Sequence, residues 1–398
     1  MPIGETAHAR HSPFSLQPST FSLPLKRILY IKRGLFSYTN VSVDALLRRE
    51  FPECELEVVD IKEDLLDKRP GLRWLNWLAV AAGYLPQILS RTQHPTACYF
   101  RTPFIARAIH RALPALLECP PESYRFSFQT SSLYDASLPD IPHFVYTDHT
   151  HRTNLYYPTF DRSKLFSERW MQEERAIYEN AARVFTMSEH VRRSAIDHYG
   201  IAPEKVECVF AGSNTETDPR ALDNDGFGNK RIVFVGVDWE RKGGPELVNA
   251  FRLLLREHPD AVLDIVGCSP EVNCPNVNVV GRVPLDEVKV FFRKSSVLCV
   301  PTKVEPFGIV FVEAFAHKIP VVSSDLGALP QIVEHGKSGY LCDPADAEAM
   351  ARHLGDLVDS SETCRTFGEH GYRRVQEVLN WDSVGKVMSA SIRPHLPD

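Results

Sequence analysis

The sequence predicts an α/β protein made of two doubly wound domains that face a central cleft. In both halves of the chain, short apolar runs with strand character alternate with helical segments, which is typical of parallel sheets covered by helices. The length of 398 residues suits two domains. Residues 215–230 are polar, rich in turn-forming residues and free of apolar periodicity, so they predict a linker. The expected domains are therefore residues 25–214 and 231–379.

The composition is that of an ordinary globular protein. Hydrophobic residues make up 43% of the chain and charged residues 24%. The net charge of −6 does not favour a nucleic-acid partner. The nine cysteines are scattered without a C-x-x-C pair, which argues against a zinc site or a disulfide framework and favours a reducing, cytoplasmic compartment. Residues 1–24 have no apolar core and predict a disordered tail rather than a signal peptide.

Residues 303–323 carry the strongest functional signal in the sequence. Apolar strands are expected at 295–302 and 319–325, and a helix between them begins after a Pro-Phe-Gly turn. Glu305 lies in the loop before that helix, and Glu313 lies about one and a half turns into it. The order strand, loop, helix, strand therefore places two carboxylates at opposite ends of one short segment.

The start of this helix suits an anionic ligand. Gly308 lets the backbone approach a ligand closely, and the N–H groups of Gly308, Ile309 and Val310 have no partner within the helix. Together with the helix dipole, these groups favour an anion such as a diphosphate. Glu305 and Glu313 are then placed to accept hydroxyl donors at the two ends of one elongated ligand. A sugar joined to a nucleoside by two phosphates has that layout.

Residues 141–154 carry the main candidate in the first half of the chain. The predicted strand HFVYT ends just before Asp148, His149, Thr150 and His151. Because open α/β sheets place ligands at the carboxyl ends of their strands, these side chains are candidates for ligand contact. No metal site is predicted, since alternate residues on an extended chain point to opposite faces and no third ligand is in view.

In each domain, the loop after the first strand also carries functional candidates. The loop after the first strand contains only one glycine, Gly34, so the G-x-G-x-x-G fingerprint is absent and a nicotinamide-dependent dehydrogenase is disfavoured. In the second domain, Arg241 and Lys242 precede a helix that begins near residues 243–245. A lysine at a helix N-terminus opposes the helix dipole, and an anion between the two would relieve that cost.

The segment EPFGIVFVEAFAHKIPVVSSDLGALPQIVEHGKSGYLCDPAD, residues 305–346, resembles the E-x7-E region of the family-4 glycosyltransferases. The resemblance includes both glutamates, the glycine after Pro-Phe and the ordered glycine-containing tail, and it extends over about residues 140–350. It implies the GT-B fold, in which two Rossmann-like domains face a central cleft. It also implies that the C-terminal helix, within residues 380–398, packs back on the first domain.

The resemblance implies a sugar transfer from a nucleoside-diphosphate sugar to an acceptor hydroxyl, with retention of anomeric configuration and without a metal or other cofactor. The donor would be UDP- or GDP-linked. The catalytic positions that it implies are His149, with His151 as the alternate, Lys242 and Glu305. The donor-binding positions that it implies are Gly34, Arg241, Lys242, Val283, Glu305, Phe307, Gly308, Ile309, Val310 and Glu313.

The sequence departs from the family pattern at two places. Relatives usually carry an arginine directly after the glycine that ends the first strand of the second domain, where this chain has Val237. We expect Arg241 to supply the missing charge from the other side of the loop. Residues 211–214 differ from the Asn-Gly-Val-Asp that often ends the first domain, which puts the ligand contacts of that segment in doubt.

The sequence leaves the acceptor open among a glycan, a lipid-linked molecule and a small molecule. Residues 73–90 are apolar but interrupted by glycine and proline, and they are too short to span a bilayer. Trp74, Trp77, Leu78 and Leu85 in that segment fit a membrane surface, a buried core or a lid over the acceptor. A cytoplasmic protein, with or without peripheral contact to the inner face of a membrane, is therefore expected.

Three other functions stay open at this stage. One is a different GT-B enzyme, such as a phosphorylase or a nucleotide-sugar epimerase. The second is a protein that binds a nucleotide sugar without catalysis. The third, a dehydrogenase, is the least favoured because of the missing glycine fingerprint.

Overall fold

The computed structural model describes residues 26–34, 38–215 and 226–397. The expected tail, residues 1–24, and most of the expected linker lie outside the described residues. What is described contains two parallel six-stranded sheets, each covered by helices. The doubly wound α/β class predicted from the sequence is therefore confirmed.

The first sheet has the strand order β2-β1-β3-β4-β5-β6, with all neighbours parallel. Its strands are β1 Lys26–Lys32, β2 Cys54–Asp60, β3 Tyr124–Thr130, β4 His143–Thr147, β5 Arg183–Thr186 and β6 Val206–Cys208. The helices of this half are α1 Thr39–Glu50, α2 Pro70–Leu89, α3 Pro95–Cys98, α4 Pro103–Ala112, α5 Glu168–Asn180 and α6 Glu189–Tyr199.

The second sheet has the order β12-β11-β10-β7-β8-β9, again with all neighbours parallel. Its strands are β7 Arg231–Val235, β8 Val262–Val266, β9 Val277–Gly281, β10 Val297–Val300, β11 Val321–Ser324 and β12 Gly339–Cys342. The helices that follow are α7 Gly244–Leu254, α8 Val288–Lys294, α9 Ile309–Ala316, α10 Leu329–Ile332, α11 Ala347–Val358, α12 Ser361–Glu377 and α13 Trp381–Ile392.

The strand order determines where a ligand binds. The order reverses between β1 and β3 in the first sheet and between β7 and β10 in the second. Open α/β sheets bind ligands at the carboxyl ends of the strands on either side of such a reversal. The central strands are apolar and covered on both faces, as in β10, whose four residues are all buried, whereas the edge strand β9 is largely exposed.

The apolar segment 73–90 forms most of α2, and one side of this helix stays exposed. Trp74 is 63% exposed and Leu78 is 49% exposed, whereas Val80 and Tyr84 are buried. The core alternative is therefore wrong for the exposed side, and contact with a membrane stays a prediction. Within the described residues, none of the helices combines the length and apolar character needed to cross a bilayer.

The last helix, α13, packs against α1 of the first domain. Trp381 donates a hydrogen bond from Nε1 to the carbonyl of Ser213 at 2.9 Å, and its ring lies edge-on to Tyr146. Arg49 of α1 pairs with Asp382 at 2.5 Å. These contacts attach the end of the chain to the domain in which the chain begins.

We expect Trp381→Ala to reduce the free energy of unfolding by about 2–3 kcal/mol, because it removes a partly buried aromatic ring and leaves the Ser213 carbonyl without its donor. Urea denaturation followed by fluorescence measures the change. The control is Val387→Ala on the same helix, where the side chain is 39% exposed and the change should be below about 0.5 kcal/mol. Equal effects of the two substitutions would contradict the packing described here.

Candidate active site

A cavity of about 490 Å³ lies between the two domains at the carboxyl ends of the strands. The first domain contributes Tyr38, Thr39, Asp148, His149, Asn154, Met187 and Asn214 to its wall. The second domain contributes residues of the loops after β7 and β10, the start of α9 and Leu285. The cavity therefore lies at the strand-order reversal of the second sheet and is closed from the other side by the first domain.

The start of α9 faces this cavity without a side-chain cap. Gly308 precedes the helix with φ of 101°, a conformation that favours glycine. A Cβ at this position would lie 2.6 Å from the Phe311 ring, so the turn leaves no room for a side chain. The N–H groups of Ile309 and Val310 receive no cap from the described residues, which leaves them available to an anion.

Lys242 and Glu305 form an ion pair of 2.5 Å on the cavity wall. Lys242 follows β7 and Glu305 follows β10, and these strands are neighbours in the sheet. The two side chains are only 12% and 6% exposed. An ammonium group has three donors, so Lys242 keeps hydrogens for a second acceptor when one is used by Glu305.

Glu313 lies about one helical turn after the first residue of α9, lines the cavity and is 5% exposed. Its carboxylate receives no hydrogen bond from the residues that the structure describes. Burial raises its pKa from 4.5 to about 7, because a low-dielectric environment disfavours the charged form. A ligand that donates hydroxyl hydrogens here would stabilise the ionised carboxylate.

The loop after β7 differs from the family pattern in its charge. Val237 lines the cavity and is 69% exposed, so the usual arginine position holds an apolar side chain. Arg241 also lines the cavity. Its guanidinium contacts Asp238 at 3.3 Å and donates to the Val304 carbonyl at 2.9 Å. Part of its donor capacity is therefore already used within the loop.

His149 and His151 have different surroundings. The side-chain amide nitrogen of Asn154 lies 3.1 Å from His149 Nε2 and also donates to the His151 carbonyl at 2.8 Å. This nitrogen is a donor, so His149 Nε2 accepts and the proton resides on Nδ1, which has no partner among the described residues. His151 Nε2 accepts from the Phe166 N–H at 2.9 Å, so this ring supports the fold.

Burial keeps His149 neutral. Its pKa is lowered to about 3, first by burial and then by the nearby Arg101. The pKa of Asp148, the preceding residue, is raised to about 6, first by burial. A neutral imidazole with a free Nδ1–H and a carboxyl group that titrates near neutrality therefore lie side by side on the first-domain wall.

Two of the predicted donor-binding residues lie away from the cavity. The N–H of Gly34 donates to both carboxylate oxygens of Asp60, at 3.1 and 2.9 Å. Val283 packs against the core, and Leu285 lines the cavity two residues later. Neither residue is among those that line the cavity, so their part in donor binding stays a prediction.

The loop after β1 reaches the cavity through Tyr38 and Thr39. These residues begin α1, which also lacks a side-chain cap, so a second helix start faces the same space from the first domain. Neither residue was predicted from the sequence, because the segment between Gly34 and α1 has no glycine pattern that marks the turn. The described residues hold no group of three His, Cys, Asp or Glu side chains that could bind a metal.

Two family models match the chain. Residues 80–217 match the model "Glycosyltransferase Family 4", and residues 223–374 match "Glycosyl transferases group 1". The fold and the cleft therefore define a protein of the GT-B glycosyltransferase class. Within this class, the chain belongs to the family-4 type.

A curated relative agrees with this assignment, and solved structures share the fold. The MMP alpha-(1->4)-mannosyltransferase of Mycolicibacterium hassiacum is 28% identical over 54% of this chain and 56% of its own length, so this chain spans about half of that relative. Sucrose-phosphate synthase from Thermosynechococcus elongatus superposes with a TM-score of 0.65 at 20% identity, over 93% of this chain and 99% of its own. HepE of Anabaena with UDP-glucose has a TM-score of 0.60 at 13% identity, over 92% and 99%.

The raised pKa of Glu313 predicts a pH-dependent stability. Between pH 4.5 and about 7 the folded protein keeps a proton that the unfolded chain has lost, so this residue reduces stability as the pH rises. At about 1.36 kcal/mol per pKa unit, the reduction reaches about 3 kcal/mol above pH 7. Glu313→Gln should therefore gain melting temperature relative to the natural chain as the pH rises from 4.5 to 7.5.

Differential scanning calorimetry at several pH values measures this difference between variant and natural chain. Glu271→Gln, on an exposed loop, is the matched control and should show no such trend. A melting-temperature difference that does not change with pH for Glu313→Gln would contradict the assigned burial of the carboxylate.

Proposed function

We propose that this protein transfers a sugar from a nucleoside-diphosphate sugar, UDP- or GDP-linked, to an acceptor hydroxyl, with retention of configuration and without a metal ion. The observation that carries the proposal is the cavity in which the uncapped start of α9, Lys242 and two carboxylates face one another. A fold neighbour, HepE, has been crystallised in complex with UDP-glucose. The chain spans about half to two thirds of the length of its first curated relatives.

The donor binds along the second-domain wall. Its diphosphate lies against the N–H groups of Ile309 and Val310, where the helix dipole and Lys242 stabilise the negative charge that develops as the sugar leaves. Glu313 accepts the ribose hydroxyls. Glu305 accepts sugar hydroxyls and orients the ring, while its ion pair with Lys242 keeps both groups in place.

The acceptor arrives from the first-domain side, where His149 borders the reaction centre. The Nδ1–H of His149 is free to donate to an oxygen of the transferred sugar or of the acceptor. In the reaction, the bond between the anomeric carbon and the leaving phosphate oxygen breaks, and the acceptor oxygen bonds to the same face of that carbon. The acceptor proton passes to the leaving diphosphate, which accounts for retention without a separate base.

Substitutions of the two glutamates should separate donor binding from turnover. Glu313→Ala should weaken donor affinity at least about tenfold, because it removes a charged acceptor of ribose hydroxyls. Among the kinetic and binding constants, Glu305→Ala should mainly lower kcat, since the sugar loses its orientation, and it should also lower the melting temperature, since Lys242 loses its partner. A panel of UDP- and GDP-linked sugars screened by thermal shift first identifies the donor, because a ligand that binds only the native state raises the melting temperature.

Calorimetric titration and a product assay with this donor then give affinity and kcat for each variant. Glu271→Gln serves as the control, and His149→Ala should lose turnover while it keeps donor affinity. Donor affinity equal to that of the natural chain in both glutamate variants would refute the assignment. Turnover of the donor without any acceptor and without release of nucleoside diphosphate would indicate an epimerase instead.

Metal independence has its own test. Because Lys242 and the α9 N–H groups supply the positive charge that stabilises the diphosphate, excess EDTA should leave the initial rate within about twofold of the untreated value. Nucleoside-diphosphate release measures the rate, with the same buffer lacking EDTA as control. A loss of rate that Mg²⁺ or Mn²⁺ restores would show that a cation takes part.

A further inference from the structure

A second cavity, of about 230 Å³, lies entirely within the first domain and adjoins the cleft. It is formed at the carboxyl ends of β1, β3 and β4, where the first sheet reverses its strand order. Asp148 and His149 line both this cavity and the cleft, so the two spaces share a wall. The location is the one where an open α/β sheet binds its ligand.

Two arginines line this second cavity without a carboxylate partner. Arg33, directly after β1, forms no hydrogen bond or ion pair with the described residues, and its guanidinium stacks on the Phe100 ring at 4.3 Å. Arg101 donates from Nη1 to the Ala97 carbonyl at 2.6 Å, but its Nε is buried without a partner. Burial is the main influence on both groups and lowers their pKa values.

Two acidic residues, Asp148 and Glu174, line the cavity, and neither forms an ion pair with these arginines. Glu174 accepts hydrogen bonds from the His151 N–H at 3.0 Å, from the Tyr178 hydroxyl at 3.2 Å and from the Tyr199 hydroxyl. These donors, together with the Ser132 hydroxyl at 3.4 Å, use the acceptor capacity of Glu174 within the first domain. Both arginines are partly buried, and an arginine cannot lose its proton in a protein, so an anion between the two guanidinium groups would offset the cost of removing them from water.

We propose that this cavity is the acceptor site and that it selects an acceptor carrying a phosphate group. Arg33 and Arg101 bind the phosphate, for which the planar guanidinium fork is well suited. The hydroxyl that receives the sugar lies between Asp148 and His149, where the cavity meets the cleft. This role as an acceptor site rests on the proposed glycosyl transfer, whereas the binding of phosphate does not.

The phosphate belongs either to a soluble molecule or to a lipid headgroup. Arg33 also lines another cavity, of about 330 Å³, together with Trp77, which is one of the exposed apolar residues of α2. Both sources present the same phosphate chemistry to Arg33 and Arg101, so the experiment has one arm for each.

The test uses inorganic phosphate as the probe and isothermal calorimetry as the measurement. Arg33→Gln should reduce phosphate affinity at least tenfold, while its melting temperature stays close to that of the natural chain because Arg33 makes no hydrogen bond to the part of the chain that the structure describes. Arg107→Gln is the matched control, since Arg107 pairs with Glu173 at 2.7 Å beside a different cavity. Lys242→Ala separates the donor site, and phosphate binding that depends on Arg33 should survive it.

Phosphate affinity that is the same in Arg33→Gln and Arg107→Gln, or that disappears only in Lys242→Ala, would overturn the proposal. Donor affinity measured on Arg33→Gln should equal that of the natural chain, so a failure here is distinct from a failure of the donor site. Co-sedimentation with phosphatidylcholine vesicles that contain phosphatidylglycerol, lost in Arg33→Gln, would assign the phosphate to a lipid headgroup. Arg33-dependent phosphate binding without such co-sedimentation would assign it to a soluble acceptor.

Discussion

The ion pair between Lys242 and Glu305 joins the two loops on which the donor side of the cleft depends. β7 and β10 are neighbours, so the loops that follow them leave the sheet side by side. The pair is nearly buried, so removing one partner leaves the other charge uncompensated. Such a substitution strongly destabilises the fold. The pair therefore fixes a cation and a hydroxyl acceptor next to each other before any ligand arrives.

The loop after β10 is held from the first domain as well. The backbone N–H of Glu305 donates to the Tyr157 hydroxyl at 3.2 Å, and the Ser188 hydroxyl donates to the Pro306 carbonyl at 3.3 Å. The segment that carries Glu305 and leads into Gly308 thus contacts both domains. A change in the angle between the domains would alter these contacts first, which couples domain closure to the geometry of the α9 start.

Much of the fold and the second-domain side of the site could be predicted from the sequence, because they depend on local patterns. Apolar runs gave the strands, and a glycine before an apolar helix gave the uncapped start near Glu305 and Glu313. The positions that sequence reasoning missed depend on contacts distant in the chain. Arg33 follows β1 and Arg101 lies just before α4, and only the folded structure brings both to the lining of one cavity.

Loop register is the other reason for the misses. The N–H of Gly34 donates to the carboxylate of Asp60 on the neighbouring strand β2, and no local sequence pattern predicts this hydrogen bond. The residues that reach the cleft therefore follow a few positions later. Val237 stands where relatives usually carry an arginine, directly after the glycine that ends the first strand of the second domain. This difference could be seen in the sequence, whereas its effect on donor affinity could not be predicted from it.

The return of α13 to the first domain means that the chain passes between the domains twice. The second passage ends beside the residue from which the first one departs, since the Trp381 indole donates to the Ser213 carbonyl. We expect this shared attachment to favour rotation of one domain about that point over sliding of one domain across the other.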